Sequence, residues 1–172
     1  MLDLSVYKTI NYKNNSYKDN NIFLNNRLIE LICENYPLTE YKNILEVGGG
    51  SGYFAKQLAK IGYNMTIMDP KSSNIEGINI IKERFDLTKD ITNYDLVISI
   101  YGCQTADFII KSCAENKKDF FVLPCTDECS YMKMRNSNMV IVKEVDEILK
   151  QENIIEEPII DDKKVYYKKR KK

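Results

Sequence analysis

The 172-residue chain is long enough for one domain with a sizeable core, and its 25 basic and 25 acidic residues balance, so bulk charge points neither to nucleic acid nor to a membrane surface. It has no histidine, which removes the commonest general base. No apolar run approaches the ~18–20 residues of a membrane span, and the polar, Asn-rich N-terminus is unlike a signal peptide, so neither membrane insertion nor export is expected.

Five cysteines, Cys33, Cys103, Cys113, Cys125 and Cys129, are an odd number that read as reduced thiols and predict a cytoplasmic location. The charge is polarised near the C-terminus: eight acidic residues and one lysine from Glu144 to Asp162 are followed by seven basic residues from Lys163 to Lys172.

Residues 1–19 show no sustained period and read as a loose arm or lid. From Asn21 to Asn35, Leu24, Leu28, Leu31 and Ile32 share one helical face, and Pro37 stops the continuation. A strand is predicted at Asn43 to Val47, a helix at Ser51 to Ile61 ended by Gly62, and a second strand at Asn64 to Met68. Further strands are expected at Ile78 to Lys82, Tyr94 to Ile100 and Phe120 to Leu123. The helix between the last two would face inward with Ala106, Ile109, Ile110 and Cys113. The connections on either side of the third strand are short, leaving room for only a turn or two. A helix from about Asn138 to Lys150 and a hairpin, Ile154 to Ile160 with Val165 to Tyr167, would complete the chain. This alternation predicts an α/β fold, a mostly parallel sheet with helices on both faces and a C-terminal antiparallel hairpin. The organisation expected is an arm (1–19), one domain (20–167) and a basic tail (168–172).

The informative string is Ile44-Leu45-Glu46-Val47-Gly48-Gly49-Gly50-Ser51-Gly52, a strand running into glycines and then a helix. Glycines let the backbone turn tightly and approach a ligand, and a helix N-terminus offers unpaired amides. The dinucleotide pattern Gly-x-Gly-x-x-Gly fails because its sixth position is Tyr53, and no Gly-Lys-Ser or Gly-Lys-Thr follows to make a phosphate loop. What is met is acidic-x-Gly-x-Gly-x-Gly, by Glu46, Gly48, Gly50 and Gly52.

That string resembles motif I of the class I (Rossmann-like) S-adenosylmethionine-dependent methyltransferases, and the resemblance runs from about Asn43 to Cys125. It implies S-adenosyl-L-methionine as cofactor, held at Glu46, Gly48, Gly49, Gly50 and Gly52. It also implies that Asp69, beside Pro70 after the second strand, bonds the ribose hydroxyls, and that Asp86 lies near the adenine amino group. Ser99 and Tyr101, after the fourth strand, would line the methyl end. The charge agrees with this resemblance: the cofactor carries a sulfonium and an ammonium and no phosphate, so a carboxylate at the turn suits it and would repel a pyrophosphate.

No catalytic residue is assigned, since methyl transfer is an in-line displacement that positioning can drive without a dedicated acid or base. The Asn-Pro-Pro-Tyr signature of base amino methylases is absent after the fourth strand. Cys103 and Cys125 follow strands four and five, an arrangement that faintly resembles cytosine-5 RNA methylases, yet the reading of them as idle small thiols is preferred. Cys125 and Cys129 lack the further ligands of a zinc site, so no metal is assigned. The basic tail gives RNA a slight lead over protein or small molecule as acceptor. A non-catalytic cofactor-binding module, acting as partner subunit or sensor, is the competing reading, and the oligomeric state is open.

Overall fold

The computed structural model describes residues 16–102, 105–124, 139–160 and 163–168. In chain order these residues form α1 (Ser16–Asn35), β1 (Asn43–Val47), α2 (Tyr53–Ile61), β2 (Asn64–Met68), β3 (Asn79–Ile81) and β4 (Leu96–Ile100). Then come α3 (Ala106–Glu115), β5 (Asp119–Leu123), α4 (Met139–Leu149), β6 (Ile154–Ile160) and β7 (Lys163–Lys168).

The seven strands form one sheet in the order β3-β2-β1-β4-β5-β7-β6. The first five are parallel, with Ile44 opposite Met65 on one side and Leu96 on the other, and the hairpin β6–β7 joins β5 antiparallel through Phe121 opposite Tyr167. The predicted α/β architecture and its C-terminal hairpin are both present.

Strands buried on both faces are mainly apolar, as β1, β4 and β5 are apart from Asn43, Glu46, Ser99 and Asp119. Their residues alternate between two cores. Ile44, Ile98 and Phe121 pack with Leu24, Leu28 and Ile32 of α1 and Leu58 of α2, while Leu45, Val97 and Phe120 pack with Ile109 of α3 and Val145 of α4. At the end of α1 the Tyr36 hydroxyl lies 2.9 Å from the carbonyls of both Phe120 and Lys168, joining the helix to β5 and β7.

One boundary is corrected. Helix α1 starts at Ser16, so four residues assigned to the arm are helical. The stretch from Ser16 to Asn21 holds no glycine or proline, and extending a formed helix is far easier than starting one. Residues 1–15 of the arm lie outside the described residues. On either side of β3 the connections, 69–78 and 82–95, are turns with no helix, shorter still than the turn or two expected.

Candidate functional site

The parallel strands all end at one edge of the sheet, and the loops leaving it are tied to neighbouring strands. Gly48 N–H donates to the Met68 carbonyl at 3.0 Å, Asp69 N–H to that of Ile81 at 3.1 Å, and Tyr101 N–H to that of Leu123 at 2.9 Å. Chain order reverses between β1 and β4, the position where open α/β sheets bind ligands.

Between β1 and α2 the glycine turn runs with φ of 72° at Gly48, 50° at Gly50 and 70° at Gly52, left-handed conformations that side chains adopt at a cost. Its tip is held by the β2 loop. Gly50 N–H donates to Asp69 Oδ2 at 2.9 Å, and the Gly50 carbonyl accepts from the buried Ser72 hydroxyl at 2.9 Å. Asp69 Oδ1 accepts from Lys71 N–H at 2.7 Å. A carboxylate has about four lone-pair sites, so Asp69 keeps acceptor capacity for a ligand.

These loops enclose a cleft of about 600 Å³, within the roughly 300–1,000 Å³ of small-molecule and cofactor sites. Gly48, Asp69, Pro70, Asp86 and Tyr101 line it, five of the positions expected from sequence. Asp86 accepts from both the hydroxyl and the amide of Thr88, and those bonds hold its carboxyl below the usual carboxylate range, so it is ionised near neutrality. Tyr101 has φ of 59°, a strained value for a side-chain-bearing residue and one that clusters at functional sites.

The other five expected positions do not line the cleft. Glu46 is 2% exposed, and its Oε2 accepts from Ala55 N–H of α2 at 2.9 Å, which turns it under the glycine turn. Burial pushes its carboxyl up to about 8, against the Ala55 hydrogen bond and with Asp69's charge adding to the rise. Ser99 is fully buried and donates to the Val47 carbonyl at 3.0 Å, tying β4 to β1. Gly49 sits over Glu46, Gly52 lies against Ile75, and Gly50 has open space where a side chain would project.

The remaining cleft residues escaped the sequence reading. Val47 and Met68 are strand ends, and Gly102 follows Tyr101. Lys71 and the Glu83-Arg84-Phe85 run put charge of both signs on the rim. Adjacency to a predicted residue was the available signal for these, whereas Thr105 and Phe108 reach the cleft through the start of α3, which no local pattern marks. Cys103, Cys125 and Cys129, and with them the question of a reactive thiol, lie outside the described residues, as do residues 169–172 of the tail. Among the described residues no group of three or more metal-ligating side chains occurs, and no helix is long and apolar enough to cross a membrane.

A family model described as a methyltransferase domain matches residues 21–111, more than half of the chain. The chain belongs to this family, the class I S-adenosylmethionine-dependent methyltransferases. No curated protein sequence matches it. Among solved structures, human N-acetylserotonin methyltransferase in complex with SAM aligns at 12% identity over 96% of this chain and 58% of that one, with a TM-score of 0.51. The plantazolicin methyltransferase BpumL, in complex with a triazolic desmethylPZN analog and SAH, aligns at 12% identity over 86% of each chain with a TM-score of 0.52. WbdD aligns at 12% over 97% of this chain and 47% of its own, with a TM-score of 0.53. At such identity these likenesses establish the methyltransferase fold. The chain spans about half the length of several of the proteins it matches, including WbdD and the human enzyme.

Proposed function

We propose that this methyltransferase domain moves a methyl group from S-adenosyl-L-methionine to an acceptor nucleophile, with the cofactor in the cleft beside the glycine turn. One observation carries the reading: in a chain of this family, the turn after β1 and the acidic residue after β2 meet in a single cleft of cofactor size, about 600 Å³. The residues present fit the group. Gly48 exposes backbone where a side chain would intrude, Asp69 retains acceptor sites for two adjacent hydroxyls, and Asp86 is an ionised acceptor further along the rim.

When bound, the cofactor supplies a methyl group already activated on a sulfonium. This chain's own task is then to hold it and to align the incoming nucleophile, so rate comes from orientation rather than from a dedicated base. Asp69 fixes the ribose, Asp86 the adenine, and Tyr101 with Gly102 forms the wall at the methyl end.

The acceptor we propose is a small molecule. RNA was favoured only through the basic tail, and Lys168, its first residue, lies beside the start of β5, with its ammonium 3.6 Å from Asp119 Oδ1. That is the sheet edge opposite the cleft. The free thiols Cys33 and Cys113 accord with a reducing, cytoplasmic setting.

Binding of isotope-labelled S-adenosylmethionine, with NAD as competitor, tests the cofactor. Transfer of label to small-molecule or RNA fractions of a cell extract tests the acceptor. Saturable binding unaffected by NAD, with label in the small-molecule fraction, is expected. Label in RNA overturns the acceptor, and binding without any transfer leaves a cofactor-binding module.

A further inference from the structure

We propose that Glu46 is a positioning residue: it anchors the glycine turn and the start of α2 from beneath and does not itself touch the cofactor. This inference rests on the cofactor reading above and departs from the simple expectation that the turn's acidic residue meets the cationic end of the ligand.

The start of α2 needs an acceptor. Its N-cap is Gly52, which has no side chain and makes no capping bond, so the first amides of the helix are left without the usual partner. Glu46 supplies it from the neighbouring strand, its Oε2 taking the Ala55 N–H at 2.9 Å. The same side chain carries the turn above it, for a Cβ placed on Gly49 would stand 3.0 Å from the Glu46 carboxyl carbon. The pocket around this carboxyl is apolar. Its strand neighbours are Ile67 in β2 and Ile98 in β4, both fully buried, and the charged group bearing on it is another carboxylate, Asp69. With no cation facing it among the described residues, a carboxyl that is 2% exposed is favoured in its neutral form, and burial pushes it up to about 8. A neutral carboxyl beneath the turn is a prop, and a glutamine of the same shape can replace it.

Three ligands separate the two roles: S-adenosylmethionine, S-adenosylhomocysteine, and 5′-methylthioadenosine, which lacks the amino-acid end and the sulfonium. Wild type, E46Q and E46A are compared by calorimetry and by hydrogen exchange at Ala55. Positioning predicts that E46Q binds all three like wild type with the Ala55 amide still protected. E46A then exposes Ala55 and weakens all three by a common factor of about ten, the loss for one buried hydrogen-bonding group. Wild-type affinity for the uncharged 5′-methylthioadenosine should fall above pH 8, as Glu46 ionises in its apolar pocket, and E46Q should abolish that fall. The proposal is overturned if E46Q weakens the two amino-acid-bearing ligands about tenfold or more and spares 5′-methylthioadenosine, the signature of a lost charged contact. It is overturned equally if Ala55 stays protected in E46A. Should E46A not fold, E46Q alone still decides through its ligand pattern and pH profile. If wild type binds none of the three, the cofactor reading fails, and exchange at Ala55 still decides whether Glu46 anchors the turn.

Discussion

Single residues of the glycine turn divide between ligand and fold, and substitutions can tell them apart. At Gly48 an added Cβ meets Gly102 at an ordinary 3.5 Å, so Gly48→Ala should cost the fold only the strain of its 72° φ, about 1–2 kcal/mol, while the methyl group enters the cleft and weakens cofactor binding. At Gly52 the same methyl group overlaps the Ile75 side chain and crowds Ile67, so Gly52→Ala should cost about 2–4 kcal/mol in urea unfolding, strain and overpacking together. Equal effects of the two on stability would contradict this division. Asp69→Ala should weaken S-adenosylmethionine by about 1–3 kcal/mol in a calorimetric titration, and no loss would reassign Asp69 to holding Gly50 alone. Glu46 sets a pH dependence. Its native carboxyl, raised to about 8 from an ordinary 4.5, keeps a proton that the unfolded chain releases, so stability falls as pH rises across that window. Thermal unfolding of wild type against E46Q from pH 5 to 8.5 should show wild type losing ground, and parallel curves would rule the protonated carboxyl out. That Gly48 and Asp69 face one cleft was legible because turn chemistry and chain position are local. That Glu46 and Ser99 turn away from the cleft was not, since a sequence does not say which face of a strand carries a helix and which way a strand-end side chain closes.

Among the elements, β1, α2 and β2 were read to within two residues because they carry strong periodicity bounded by glycine or proline. Helix α1 was cut short because its first turn, Ser16 to Asp19, is polar, and an apolar period cannot mark a helix where nothing is apolar. What fastens α1 is also non-local. The Tyr36 hydroxyl, buried between the carbonyls of Phe120 and Lys168, joins residues more than eighty positions apart, and Tyr41 likewise donates to Asp119. Tyr36→Phe removes that donor and leaves a buried acceptor short of a partner, so a loss of about 1–3 kcal/mol in the urea midpoint is expected. An unchanged midpoint would mean that water replaces the bond. The α3–α4 face offers a contrast. Lys111 reaches Glu115 and Glu144, pairs half open to solvent and worth little by comparison.

In the whole molecule, a strand order of β3-β2-β1-β4-β5-β7-β6 brings the ends of β1, β2 and β4 to one edge, and that placement makes a glycine turn and separate acidic residues into one cleft. The alternating pattern was enough to predict such a sheet. Thr105 and Phe108 were out of reach, because they enter the cleft through the start of α3, which no spacing rule describes. Lys168 lies at the opposite edge of the sheet, its ammonium 3.6 Å from Asp119 Oδ1 at the start of β5. The account stands on S-adenosylmethionine occupying this cleft, and equilibrium dialysis with the methyl-labelled cofactor tests it most directly. One saturable site, displaced by S-adenosylhomocysteine, indifferent to NAD and weakened by Asp69→Ala, is the result predicted. No saturable binding to the folded wild-type chain, or displacement by NAD, would contradict it.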